Sequence, residues 1–223
     1  MRTLTVAAAV ATFAPCLGAQ RGGPDPSIAI TYVAPVAALG RYVTPGWGAE
    51  GALVWSRHSH PLALRVGAAY AAHRYAAADG TDSLTTLPTR VQVSTGSTRL
   101  VVTAGPALTK RLGRAGAQIH AGAGLAYAST TMGLSGLGID ERYTRRKRYT
   151  DLTVALQAGV GFTVRVSPGL DLTGTVTHTT VGPTRYGLDP VIRVGVISGP
   201  YWQPVRRWSQ LVTVQLGATL GGH

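Results

Sequence analysis

The residues with the greatest chemical potential are arginines. The segment Asp140-Glu141-Arg142-Tyr143-Thr144-Arg145-Arg146-Lys147-Arg148-Tyr149 carries five basic side chains, and Arg206-Arg207 adds two more. Guanidinium groups at this density suit bidentate capture of phosphate or carboxylate. Arg142, Arg145, Arg146, Lys147, Arg148, Arg206 and Arg207 are therefore expected to form a surface for anionic groups. A second polar set is scattered singly through apolar runs: Glu50, Arg65, Arg99, Gln118, His120, Gln157, Arg165 and Asp171, with His73 alongside. Catalytic patterns are weak. His178 stands on an apolar parity, but its same-face neighbour is Thr180 rather than serine, and no carboxylate shares that face to complete a nucleophile, base and orienter. His58 and His60 share a face in one turn, which supplies two ligands where a metal site needs three or four. Gly122 and Gly124 do not precede a helix, so they are no phosphate-cradling loop. The expectation is no catalytic residue, no metal and no cofactor.

The elements that must position these residues repeat every two positions, which is the strand period. From Asp151 to Val166, the even positions Leu152, Val154, Leu156, Ala158, Val160, Phe162, Val164 and Val166 are all apolar, and the odd ones include Gln157 and Arg165. The same alternation predicts strands over Leu62 to His73, Thr98 to Arg111, Ala117 to Ser129, Leu170 to Thr180 and Gln210 to Leu220, with less regular runs over Ile28 to Leu39 and Trp47 to Arg57. Leu170 to Thr180 carries a threonine ladder, Thr173, Thr175, Thr177 and Thr179, beginning at Asp171. Eight strands are predicted. Their connections alternate. Short Gly, Pro or Ser turns follow the second, fourth and sixth strands, and long polar segments (76–96, 130–150 and 182–208) follow the third, fifth and seventh. An even strand number with strands of about ten residues, short turns on one side and long loops on the other describes an antiparallel up-and-down transmembrane β-barrel.

Alternation alone does not say which face points outward. In a soluble ligand-binding barrel the apolar face fills the interior and the other meets water, which calls for roughly 25–35% charged residues on that surface. The whole chain is only 13% charged, and the polar parity is mostly Gly, Ala, Thr and Gln, which suits a crowded lumen. Aromatics agree: Trp47, Tyr70, Tyr127 and Trp208 fall on the apolar parity near the long-loop end and Trp55 near the short-turn end, as two interfacial girdles would. Glu50, Arg65, Arg99, Gln118, His120, Gln157, Arg165 and Asp171 then face the interior. There they form a plug of paired charges or, alternatively, line a narrow path whose arginines favour anions.

The N-terminus explains the lone cysteine. Arg2, the uncharged apolar run Leu4 to Ala14 and the ending Leu17-Gly18-Ala19 make residues 1–19 a secretory signal peptide, and Cys16 lies within it. Residues 20–27 are expected to be an N-terminal extension and residues 28–220 the barrel. The 45% hydrophobic content excludes intrinsic disorder. All but Lys110 and Lys147 of the 21 basic residues are arginine, against 9 acidic residues. On an exported loop without a binding fold, this basicity does not indicate nucleic acid.

The strings Gly46-Trp47-Gly48-Ala49-Glu50-Gly51, Leu64-Arg65-Val66-Gly67-Ala68-Ala69-Tyr70 and Ala121-Gly122-Ala123-Gly124-Leu125-Ala126-Tyr127 resemble small bacterial outer-membrane β-barrel proteins, the group of the OmpA-like transmembrane domain and the OmpW- and OmpX-type barrels. The chain departs from that pattern in ending Leu220-Gly221-Gly222-His223, where such barrels carry a terminal aromatic. The resemblance implies an outer-membrane location in a Gram-negative envelope. The function expected is a structural, surface-interaction or narrow-pore role for a monomer whose partners are outer-membrane lipid, lipopolysaccharide and small anionic solutes. Two alternatives stand beside it: a lipid-modifying barrel enzyme and a soluble periplasmic ligand-binding barrel.

Overall fold

The computed structural model describes residues 23–36, 43–56, 61–74, 78–82, 89–136, 144–186 and 205–220. The predicted signal peptide, His58, His60, Arg142 and residues 221–223 lie outside them. Nine strands follow in chain order: β1 (Asp25–Val36), β2 (Gly46–Ser56), β3 (Leu62–Arg74), β4 (Ala78–Asp82), β5 (Thr89–Leu112), β6 (Ala115–Gly136), β7 (Thr144–Ser167), β8 (Leu170–Tyr186) and β9 (Val205–Leu220).

Eight of them close a ring, in which each strand pairs antiparallel with its neighbour. The first and last strands seal it, with β1 against β9 from Ser27↔Thr219 to Val36↔Gln210. Strand β3 pairs with β5 from Leu62↔Leu108 to Arg74↔Gly96, and the short β4 continues that line higher up, Ala78↔Val93 to Asp82↔Thr89. Turn chemistry sets the register at the short-turn end. Pro168-Gly169 joins β7 to β8 with Gly169 at φ 85°, and Gly113 takes φ 64° between β5 and β6. Both angles lie in the left-handed region that a side chain resists.

The orientation of the pleat is opposite to that of a soluble protein. Leu152 (70% exposed), Ile30 (67%) and Leu216 (67%) stand on the outside, together with Leu64, Val102, Ile119, Leu125, Leu156, Val160, Phe162 and Val176. Thr31, Thr177, Glu50, Arg99 and His120 are buried inside. A continuous apolar belt is a surface for lipid. It suits a barrel that spans a membrane and not a soluble one. Trp47, Tyr127, Trp208 and Trp55 are exposed on this outer face, and Tyr32 meets Trp47 edge to face at 5.1 Å. Phe162 lies across Gly174 of the next strand, where no side chain interrupts the wall.

The strands differ in reach from the sequence expectation. Strand β1 begins at Asp25, within the segment expected as an extension. Strands β5, β6 and β7 run 24, 22 and 24 residues, about twice the 9–11 that cross a bilayer. The excess lies on the outer side, since β6 continues from the girdle residue Tyr127 to Gly136. The basic run expected in a loop is corrected accordingly. Thr144 to Tyr149 belongs to β7, with Arg145↔Leu134, Arg146↔Gly133, Lys147↔Met132 and Arg148↔Thr131 across to β6.

A charge placed in the belt should be expensive. Leu216→Arg is expected to destabilise the refolded barrel by about 2–4 kcal/mol. Reversible urea unfolding in lipid vesicles measures this, and an unchanged midpoint would contradict the outward placement of β9's apolar face.

Candidate functional site

An eight-stranded barrel is just wide enough for its inward side chains to meet. Charged residues there leave water, and each needs a partner across the lumen. At mid-height, β2 contributes Glu50, β3 Arg65 and β9 Gln215. Arg65 Nη2 donates to Glu50 Oε1, and Gln215 Nε2 donates to Glu50 Oε2, so one carboxylate is gripped on both oxygens by two strands. The Glu50 side chain is 4% exposed and that of Arg65 11%. On the opposite wall Thr103 Oγ1 donates to Gln157 Oε1 at 2.6 Å, linking β5 to β7. His120 of β6 is buried beside Gly159 of β7.

Toward the short-turn mouth, Asp171 receives two arginines. Arg111 Nη2 donates to Oδ2 at 3.0 Å, and Arg165 Nε approaches Oδ1 at 3.4 Å. Both guanidinium groups are partly solvated, so this triad is the weaker of the two. Toward the outer mouth the filling is mostly hydroxyl and small apolar. Thr130 Oγ1 reaches Ser97 Oγ (3.3 Å) and the Arg185 carbonyl (3.0 Å), and Thr184 meets Ser209 at 3.3 Å. Val33, Ala71 and Leu211 pack together near the barrel's outer end. His73 Nδ1 donates to the Thr44 carbonyl at 3.2 Å, and Arg99 is buried in β5.

The interior set read from the sequence thus lies on the inward face throughout. Glu50 with Arg65, and Arg165 with Asp171, are brought together as ion pairs, and Gln157 finds Thr103. Gln118 lines the wall, half-buried, at the register of Thr109 and Gly161 without joining these clusters. Sequence reasoning misses two partners. Gln215 and Arg111 both sit on the polar parity of their strands, but parity gives a face and says nothing of which residue across the lumen completes a pair.

The outer rim carries the second set. Arg148 and Arg206 are exposed, as is Arg207. Arg148 Nε donates to Ser129 Oγ at 2.9 Å, which fixes its root on the outer face. Arg206 stands two residues above Trp208 on β9, about 7 Å at the rise of a strand, and opposite Arg185 of β8. Arg185 is itself anchored: its backbone N–H donates to Asp151 Oδ2 at 2.8 Å, its Nε lies 3.2 Å from Asp151 Oδ1, and its guanidinium lies 6.0 Å from the Tyr149 ring centre. Arg145, Arg146 and Lys147 continue up β7 beyond Arg148.

Among solved structures, a major outer membrane protein from Thermus thermophilus aligns with a TM-score of 0.53 at 13% identity, covering 88% of this chain and 98% of that one. At that identity it bears on the fold alone, which it shares. Looser likenesses are to Ail, the attachment invasion locus protein of Yersinia pestis, solved with the heparin analogue sucrose octasulfate (TM-score 0.46, 12% identity, 90% and 99% covered), and to Neisserial surface protein A (0.46, 10%, 88% and 96%). No protein-family model and no curated protein matches the chain.

The mid-lumen pair generates a graded expectation. Glu50→Ala leaves Arg65 buried without its carboxylate and should cost about 3–5 kcal/mol. The double variant Glu50→Leu/Arg65→Met, which removes both charges, should recover most of that loss. Asp171→Asn at the solvated mouth should cost about 1 kcal/mol. Urea titration of the refolded variants checks the order, and equal losses for Glu50→Ala and Asp171→Asn would contradict it.

Proposed function

We propose that the protein is a closed outer-membrane barrel that works at its outer rim, where arginines hold the phosphate groups of surface glycolipid around the barrel wall. The observation that carries this reading is the placement of Arg148 and Arg206. Both are exposed on the lipid-facing side, Arg206 directly above the girdle residue Trp208 and Arg148 four residues above Leu152. That is the level at which headgroup phosphates sit. Arginine suits them because its planar fork donates two parallel hydrogen bonds to one phosphate.

The interior favours this over solute passage. Thr31, Glu50, His120, Thr177 and Gln215, which cross the lumen at mid-height, are each at most 5% exposed, so solvent scarcely reaches them. A plugged lumen makes the barrel a scaffold. The reading also does better than lipid chemistry. His178 is exposed on the outer face between Ala158 and Val212 of its neighbours, with Thr180 next along, but the carboxylates Glu50, Asp151 and Asp171 all belong to the inward parity. A base with no orienting acid beside it among the described residues is a poor start for hydrolysis.

The experiment is a glycolipid titration. Wild-type protein in zwitterionic detergent should retain lipopolysaccharide through native mass spectrometry, and should retain it poorly after enzymatic removal of its phosphates. Arg148→Ala and Arg206→Ala should each weaken retention by about tenfold, in keeping with about 1.5–3 kcal/mol for a charge-assisted hydrogen bond. Equal retention of the phosphate-free glycolipid, or variants indistinguishable from wild type, would refute the reading.

A further inference from the structure

The outward face of β5, β6 and β7 changes character between two successive rows. Leu100, Tyr127 and Leu152 are in register across the three strands and exposed on the apolar belt. Two residues further out along each strand, the row is Thr98, Ser129 and Thr150, three hydroxyls in register. The row beyond that is Gly96, Thr131 and Arg148. Ser129 is buried and its Oγ accepts from Arg148 Nε at 2.9 Å, which turns the guanidinium from β7 over β6. Arg148 is exposed and has no other side-chain partner among the described residues, so the outer edge of its fork is open. Gly96 belongs to the next strand, about 5 Å further across the wall. A methyl group placed on Gly96 would meet nothing within 4 Å. By contrast, the same point above the outward-facing Gly174 is filled, with Phe162 at 2.5 Å. The wall beside Arg148 therefore has open space, bounded on its membrane side by hydroxyls.

We infer that this wall seats the sugar of a phosphorylated glycolipid, with the phosphate on Arg148 and the ring over Gly96, hydrogen-bonded to the hydroxyls of Thr98 and Thr150. The inference rests on the rim reading above and adds what arginines alone do not give, a distinction between a glycolipid and a phospholipid carrying the same phosphate. A phosphate needs only donors, which the guanidinium supplies. Threonine hydroxyls both donate and accept, and so do the hydroxyls of a sugar ring. Thr98 is half-buried and Thr150 exposed, so both can be reached from outside the barrel. Any side chain at position 96 would stand where the ring lies. The acyl chains then descend over Leu100, Tyr127 and Leu152, the apolar row immediately beneath.

The test compares two lipids on the refolded barrel by native mass spectrometry: lipid A with its phosphates, and dioleoylphosphatidic acid, a phosphate monoester without a sugar. Wild type should retain lipid A about tenfold better. Gly96→Phe, which adds bulk where no protein atom is displaced, should weaken lipid A retention by about tenfold and leave phosphatidic acid unchanged. Thr98→Val/Thr150→Val, which removes two hydrogen bonds, should do the same, and Thr98→Ser/Thr150→Ser should behave as wild type. Variants that retain lipid A as wild type does, or that lose both lipids equally, would overturn the sugar seat. If phosphate-free lipid A is at the same time retained poorly by wild type, the arginine reading survives that failure. Equal retention of phosphate-free and phosphorylated lipid A by wild type would overturn both.

Discussion

Every feature of this molecule follows from the need to leave no backbone amide or carbonyl unpaired where there is no water to satisfy it. In hydrocarbon a sheet edge is prohibitively costly, so the first strand must find the last. Strand β1 does so along ten consecutive partners of β9, from Ser27↔Thr219 to Val36↔Gln210. Among the described residues eight strands make the closed ring, and that number leaves a lumen too narrow for solvated charges. The apolar parity is then driven outward to lipid, and the polar parity is driven into contact with itself.

The interior chemistry is a consequence of that crowding. Glu50, gripped by Arg65 and Gln215, is an ion pair closed off from water, which stabilises only because both carboxylate oxygens are used. Asp171 with Arg111 and Arg165 repeats the arrangement where water still reaches it, and there the same pairing is worth less. Between them a wall bared by Gly159 and Gly161 gives His120 its place. The basic character of the chain is thus divided. Arg65, Arg111 and Arg165 are committed to carboxylates inside, and Arg148 and Arg206 are presented outside, above the girdle.

Much of this is legible from alternation, and the failures have a physical pattern. Asp151 to Val166 shows which residues face together because lipid on one side and a packed lumen on the other impose opposite demands on neighbouring positions. Beyond the girdle that contrast weakens, since polar residues stand on both faces: Arg148 and Thr150 are exposed while Ser97 and Thr130 are buried. The sequence over 89–97, 130–136 and 144–150 therefore reads as polar loop although it continues the ladder. The basic run at Arg145 to Arg148 reads as loop for the same reason. Partner identity is the other gap. Gln215 and Arg111 lie on the expected face, but only the stagger between strands determines that Gln215 meets Glu50 and Arg111 meets Asp171.

The proposed function at the outer rim rests on a closed lumen, which can be tested on the wild-type protein alone by single-channel recording after refolding into a planar lipid bilayer. A lumen sealed by Glu50, Arg65 and Gln215 gives no stepwise conductance above that of the bare bilayer. Discrete and reproducible steps, above all ones selective for anions, would contradict it and make the interior arginines an ion path.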